Sequence, residues 1–424
     1  MSIRKMTVIV FTFLVSGGVV QAQEASNVPL SLEQCVDLAL KQNPLLLSSL
    51  EKYRASRARV SQALAIPQPA LNYDSDLQPR PLDFRGSGES YFGVSQTVEF
   101  PGKRTLRGKI ASRESDELRS EIDFLKLDLE FQVKQAFFAL LLAREKAKYA
   151  QQDSILSRDF LQKAEVMRTS GDIAEVEVLR ARVEASRTAN ALKVAENKTR
   201  LAAAALNFLL ARKKYELLEI QGEMKGQFIP LDLEALKQKA YTLRPEFRGN
   251  KAALQKESLK KTQAYLSYLP DFDLGISRHR ISGELKTWDF TVSLPIPLFF
   301  WQPAKGQMAE ADANREALKR ESEHLVNAIS LEVEEAYMNA LAASDQIKLF
   351  EEQILAQAEE VYDIFLFKCQ EGEIGGIELI DARRSLNEAR GSYADALFNY
   401  RVTIASLEKS IGQSLDGENH DQNE

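Results

Sequence analysis

The side chains with the most chemistry to offer in this 424-residue chain are acids gathered at two short breaks in otherwise helical sequence. Asp172, Glu175 and Glu177 lie in and just after "TSGDI" at 169–173, and Glu371, Glu373, Glu378 and Asp381 lie in and after "EGEIGG". Glu378 and Asp381 are three apart, which puts both carboxylates on one face of a helix. Such a pair attracts cations. Acids in the first turn of a returning helix also complement its dipole, for some tenths of a kcal/mol each. Both readings stand on the residues alone.

Catalytic patterns are missing. There is no glycine-rich phosphate loop and no nucleophile with a base near it in sequence. His279, His324 and His420 are isolated, without metal-ligand spacing. No catalytic residue, metal site or cofactor is expected. Cys35 and Cys369 are the only cysteines. They read as lying at opposite ends of the fold, so two free thiols are expected.

Composition narrows the class. Lys and Arg number 55 against 61 Asp and Glu, a net charge of −6. The signs are interspersed, so no nucleic-acid surface is indicated. Residues 1–22 read as a secretory signal: Arg4 and Lys5, an apolar centre from Thr7 to Val15, and small residues at Val20-Gln21-Ala22. Beyond it no apolar run approaches the roughly 20 residues a spanning helix needs. Further membrane contact must come from strands or from the surface of an assembly.

The elements that carry the acidic breaks are very long helices. Residues 103–168 contain no proline and are rich in Ala, Leu, Glu, Lys and Arg. A helix of about 65 residues is roughly 100 Å long, too long to hide its stripe in an ordinary globule. The stripe Leu118, Ile122, Leu125, Leu129, Val133, Ala136, Leu140 repeats every eleven residues, which implies a nearly straight helix.

The chain also repeats itself at an offset of roughly 200 residues. "LSLEQCVDLALKQNP" from Leu30 matches "LDLEALKQKAYTLRP" from Leu231; Pro44 falls on Pro245 and Pro69 on Pro270; Gly171, Ile173, Glu177 and Ala181 fall on Gly372, Ile374, Glu378 and Ala382. The expected domains are a first repeat over 23–212, a linker over 213–230, a second repeat over 231–412 and a disordered tail over 413–424. Each repeat holds two shorter helices, two strands and two long helices. Strands are expected at about 70–78, 91–100, 271–278 and 287–295, and long helices at about 103–169, 173–212, 304–371 and 376–412. The strands alternate apolar and polar residues, the signature of an outer-membrane barrel as well as of a half-exposed soluble sheet. Four strands cannot close a barrel, so in lipid several chains must pool them.

With these features in place, the mature sequence resembles the TolC-type outer-membrane efflux protein family over essentially its whole length. The likeness rests on "LEQCVDLALKQNP", "VSQTVEFPGKR", "VSLPIPLFF" and "GEIGGIELIDARRSLNEAR", in this order and spacing. The resemblance implies a mainly α fold with a small β part: a homotrimer whose chains each give four strands to a twelve-stranded barrel in outer-membrane lipid, above a periplasmic α-helical tunnel. It implies a passive conduit in a tripartite export system, working with a periplasmic adaptor (membrane fusion) protein and an inner-membrane pump. Glu378 and Asp381 match family positions lining a closed entrance, where threefold repetition would stack them as acidic rings. The first-half equivalents, Glu177 and Arg180, put a cation where it can latch onto a neighbouring acid. Gly171, Asp172 and Ile173, with Gly372, Glu373 and Ile374, become adaptor-docking tips. The alternative from another class is a soluble periplasmic coiled-coil scaffold.

Overall fold

The computed structural model describes residues 29–76, 88–212, 218–226, 228, 230–281, 287–295, 299, 301–371 and 373–415. The signal segment, linker residues 213–217, Gly372 and the tail beyond 415 lie outside the described residues. The first half contains α1 (Leu32–Gln42), α2 (Pro44–Ala63), β1 (Ala70–Asp76), β2 (Glu89–Val98), α3 (Lys103–Ser170) and α4 (Glu175–Leu209). The second half contains α5 (Leu233–Leu243), α6 (Pro245–Leu266), β3 (Phe272–Ile281), β4 (Thr287–Ser293), α7 (Trp301–Leu349), α8 (Leu355–Gln370) and α9 (Gly376–Ile411). A π turn at Phe350–Ile354 joins α7 to α8 without a break in the rod.

Local chemistry explains where the helices start and stop. Ser31 caps α1 and Gln34 returns the bond to the Ser31 amide, a complete capping box. Pro44 and Pro245 open α2 and α6 at the one helical position where a missing N–H costs nothing. The residues just before those prolines do more than cap. Asn43 donates from Nδ2 to the carbonyl of Leu209, the last residue of α4, at 3.2 Å. Arg244, in the equivalent place, donates to the carbonyls of Lys409 and Ser410 at the end of α9, both at 3.2 Å. Each half thus closes on itself through one side chain that ties the start of a short helix to the end of a long one.

Two apolar cores follow the same duplication. Cys35, Ala39, Val133, Leu206 and Leu210 are buried in the first, and Leu236, Ala240, Val333, Leu407 and Ile411 take the matching places in the second. Cys35 is inside the first core and Cys369 is half-buried on α8; neither forms a disulfide. The second core continues along α7 through Ala336, Ala340, Ala343, Ile347 and Phe350 and then stops. Further along the same rod, on α8, Val361 is exposed. The π turn explains the change, because one extra residue in the turn rotates the following face by about 100°.

The strands form one antiparallel sheet in the order β1-β2-β3-β4. The strand expected to end at 278 continues to Ile281. Arg278 to Ile281 keep the alternation and pair with Phe92 to Glu89, so the ladder carries them past the turn-like sequence. All four strands join their helices at one end of the sheet, so every helix hangs from the same side.

The Arg244 joint is testable. Its side chain is 4% exposed and also contacts Glu246, and Glu332 at 3.1 Å. Arg244→Ala leaves two carboxylates and two helix-end carbonyls without it, with an expected loss of about 3–5 kcal/mol. Asn43→Ala should lose about 1 kcal/mol. Urea unfolding followed by helical circular dichroism measures both.

Candidate functional site

The two helical hairpins meet at tips far from the sheet. In the first, Gly171 ends α3 in the left-handed region at φ 87°, which lets its amide bond the Arg168 carbonyl and the Asp172 amide bond the Met167 carbonyl. Asp172 is exposed and accepts from the Ser170 hydroxyl at 2.6 Å. Ile173 is half-buried against Ala164, Val178 and Ala181. In the second tip the Glu373 amide bonds the Lys368 carbonyl, Glu373 is exposed and Ile374 half-buried, while Gly372 lies outside the described residues. Gly375 is extended and Gly376 helical, so neither serves the turn by positive φ. Gly376 is needed for close approach: a Cβ there would stand 1.8 Å from the Phe160 ring of α3.

The gate residues named from the sequence are placed as follows. Glu378 and Asp381 are both exposed on the first turns of α9. Asp381 bonds Arg384 one turn on, at 2.9 Å. Arg180 bonds Glu177 of its own helix at 3.3 Å rather than an acid of another element. The cross-element link belongs to Arg384, which also reaches Glu184 of α4 at 2.8 Å. Glu184 hydrogen-bonds the Arg384 guanidinium and holds it above its ordinary pKa.

A second link starts from the neighbouring residue of α9 and leaves no mark in the local sequence. Asp153 of α3 accepts from Arg383 at 3.4 Å and from the Asn387 amide, and Arg383 also donates to the Tyr362 hydroxyl of α8 at 3.2 Å. Arg383 lies over the Tyr362 ring as well, 5.6 Å from its centroid. Arg383 and this carboxylate therefore tie α3, α8 and α9 together. Burial pushes the Asp153 carboxyl above the ordinary aspartate range, although Arg383 and Asn387 pull it down. Further up, Arg390 bonds Glu359, Tyr393 bonds Glu351 and Lys146 bonds Asp395, so α9 is held by a ladder of polar contacts. Burial and the Glu351 carboxylate push the Tyr393 phenol up to about 12, so it stays a donor. Apolar packing near the tips is thin: the buried side chains there are mostly small, Ser154, Ser157, Ala164, Ala181 and Ala382, beside Val178 and Leu386.

At the other end the sheet has a largely apolar face and an acidic one. Leu71, Phe92, Val94, Ile276, Phe290 and Val292 are exposed on one face. The opposite face carries Asp74, Asp76, Glu89, Asp273 and Asp289. His279, isolated in sequence, sits among them: it stacks on Tyr91 at 4.1 Å and its two nitrogens face Glu89 at 3.5 Å and Asp289 at 3.6 Å. Among the described residues no group of three or more acids, histidines or cysteines is arranged to hold a metal ion. No described helix is long and apolar enough to cross a membrane; exposed apolar surface of the membrane kind lies on the sheet.

The outer membrane efflux protein model matches the chain twice, over residues 35–212 and 236–413. The chain belongs to that family. It is an efflux channel subunit of the outer membrane with its helices in the periplasm. It is similar to CzcC, the cobalt-zinc-cadmium resistance protein of Cupriavidus metallidurans, with 25% identity over 396 residues covering 91% of this chain and 90% of the relative. Its fold is similar to that of CusC, with a TM-score of 0.74 and 19% identity over 91% of this chain and 93% of that one. It is also similar to the Campylobacter jejuni CmeC outer membrane channel, with a TM-score of 0.74 and 15% identity over 99% and 97% of the two chains.

For this efflux subunit the Asp153 link gives a prediction with a sign. The packed state holds the Asp153 proton more tightly than an exposed aspartate would. That contribution favours packing in acid, is complete below the ordinary aspartate pKa, and is lost as pH rises through the raised value. Hydrogen-exchange protection of α9 around Asn387, corrected for intrinsic rates, should increase as pH falls from 7 toward about 4. Asp153→Asn should make it insensitive to pH. Arg383→Ala should reduce protection at neutral pH by about fivefold, the equivalent of roughly 1 kcal/mol.

Proposed function

We propose that three copies of this chain form one passive conduit, closing their strands into a twelve-stranded barrel and their helices into a tunnel. The observation that carries this is the sheet: one face exposed and apolar, the other acidic, and β1 and β4 each left with an open edge. Open edges are not tolerated in lipid, and closure with sister chains satisfies them. The soluble-scaffold alternative leaves Phe290, at 72% exposure, and its apolar neighbours in water.

The conduit works within a tripartite export system, taking cargo from an inner-membrane pump through a periplasmic adaptor. The tips, named from the sequence as Gly171, Asp172 and Ile173 with Gly372, Glu373 and Ile374, receive the adaptor, with Asp172 and Glu373 exposed to meet it. Glu378 and Asp381 stand as stacked acidic rings at the periplasmic entrance, with Glu177 and Arg180 beside them. The Arg384–Glu184 and Arg383–Asp153 links hold α9 against α3 and α4, and their release lets α9 move aside. The similarity to CzcC and the acids along one sheet face favour divalent heavy-metal cations as cargo. The subunit supplies no chemistry to transport; the pump supplies the energy.

Planar-bilayer recording of purified trimers tests the reading. The wild type should conduct and be blocked by divalent cations from the periplasmic side. Glu378→Ala with Asp381→Ala should weaken block at least tenfold while leaving trimers intact. Unchanged block removes the acidic rings from the gate; a monomer that never conducts removes the channel.

A further inference from the structure

The sheet sorts its charges by sign as well as by polarity. All five of its described carboxylates share the face that holds His279, and both of its arginines, Arg278 and Arg280, take the apolar face. One transverse row on that face reads Tyr73, Phe92, Arg278, Trp288 across the four strands. The next row away from the helices holds Ser75, Ser90 and Arg280. The rows nearer the helices carry no charge.

Both guanidiniums are exposed, and neither has a carboxylate partner among the described residues, because the nearby acids turn to His279 on the other face. Arg278 is held over the Trp288 ring, 5.7 Å from its centroid. Indole and phenol side chains mark the level where acyl chains give way to headgroups. An arginine is costly at mid-bilayer and tolerated at that level. β3 leaves α6 at Phe272 and reaches Arg278 and Arg280 at its far end, so this row belongs to the leaflet away from the periplasm. The two arginines are alternate residues of one strand, about 7 Å apart. Guanidinium forks at that spacing match phosphate oxygens on one headgroup.

We infer that Arg278 and Arg280, with Trp288 as a platform, form a binding site on each subunit for the phosphates of an outer-leaflet glycolipid, whose acyl chains lie over Val94, Ile276 and Phe290. The inference rests on the barrel reading above. It adds a lipid partner chosen by charge at a surface that neither cargo nor adaptor touches.

Purified wild type and the Arg278→Gln, Arg280→Gln double variant are compared by native mass spectrometry in detergent titrated with bisphosphorylated lipid A, its dephosphorylated form, or phosphatidylglycerol. The wild type should retain the bisphosphorylated lipid at least tenfold more tightly than the variant does, and should retain the other two no better than the variant. Equal retention by wild type and variant overturns the site. So does phosphatidylglycerol held as tightly as lipid A, which would make the patch a general anionic surface. Both proteins are also recorded in plain phospholipid bilayers. Conducting trimers with equal lipid retention defeat the lipid site alone, whereas a wild type that neither trimerises nor conducts defeats the barrel reading itself.

Discussion

A sheet with two unpaired edges and one apolar face cannot exist alone in a membrane, and the rest of the molecule is arranged around that deficit. β1 and β4 each present a row of backbone N–H and C=O groups that no described strand of this chain satisfies. Within lipid each such group costs several kcal/mol. Closing the edges with further copies fixes the radius at which the helices must start. The helices all descend from one end of the sheet, so they have to continue the ring as a wall. α3, at 68 residues, spans the whole wall alone, while the shorter helices α1, α2 and α4 stack to a similar height beside it.

Stability along this wall is uneven, and the unevenness is written in side-chain size. Around the joints made by Asn43 and Arg244 the cores hold Phe137, Leu140, Leu206, Ile329, Ile347, Leu407 and Ile411, all with almost no exposure. Each such side chain contributes about 1.5–3 kcal/mol on burial. Toward the tips serine and alanine replace them, and the π turn at Phe350–Ile354 ends the large-residue stripe. Below that turn α9 buries Ala382 and Leu386 and is otherwise held by polar contacts with three neighbouring helices. The fold is anchored at mid-height and loosely held at its periplasmic end.

Much of this was legible in the residues, for identifiable reasons. Prolines and glycines recurring at one offset survive duplication because they are tied to backbone geometry, so the two-fold plan of the chain could be read directly. Period-two alternation exposed the strands. The end of β3 was misread because His279 and Arg280 look like loop residues; only pairing with Glu89 to Tyr91 makes them strand. The Asp153 link joins residues more than 200 apart and leaves no local pattern, and a π turn has no sequence signature. Arg384 was within reach: it stands three residues after Asp381, a spacing that puts the two side chains together on a helix. The reason for Gly376 appears only in the fold, since the constraint is the Phe160 ring and not the backbone angle.

The choice of polar contacts over apolar ones at the periplasmic end follows from what that end has to do. Separating two faces packed with leucine or phenylalanine exposes apolar area at about 25 cal/mol per Å², a cost that water does not return. An ion pair at a wet surface is worth about 0–1 kcal/mol, because water replaces most of what is lost when it opens. Glu359 and Arg390, at 51% and 34% exposure, and Arg384, at 35%, already touch solvent in the packed state. A ladder of such pairs fixes the register of α9 against its neighbours while leaving the energy of separation small. In the gating proposed above, the modest binding energy of a docked partner is enough to shift the tip, and the mid-height cores keep the rest of the helix in place.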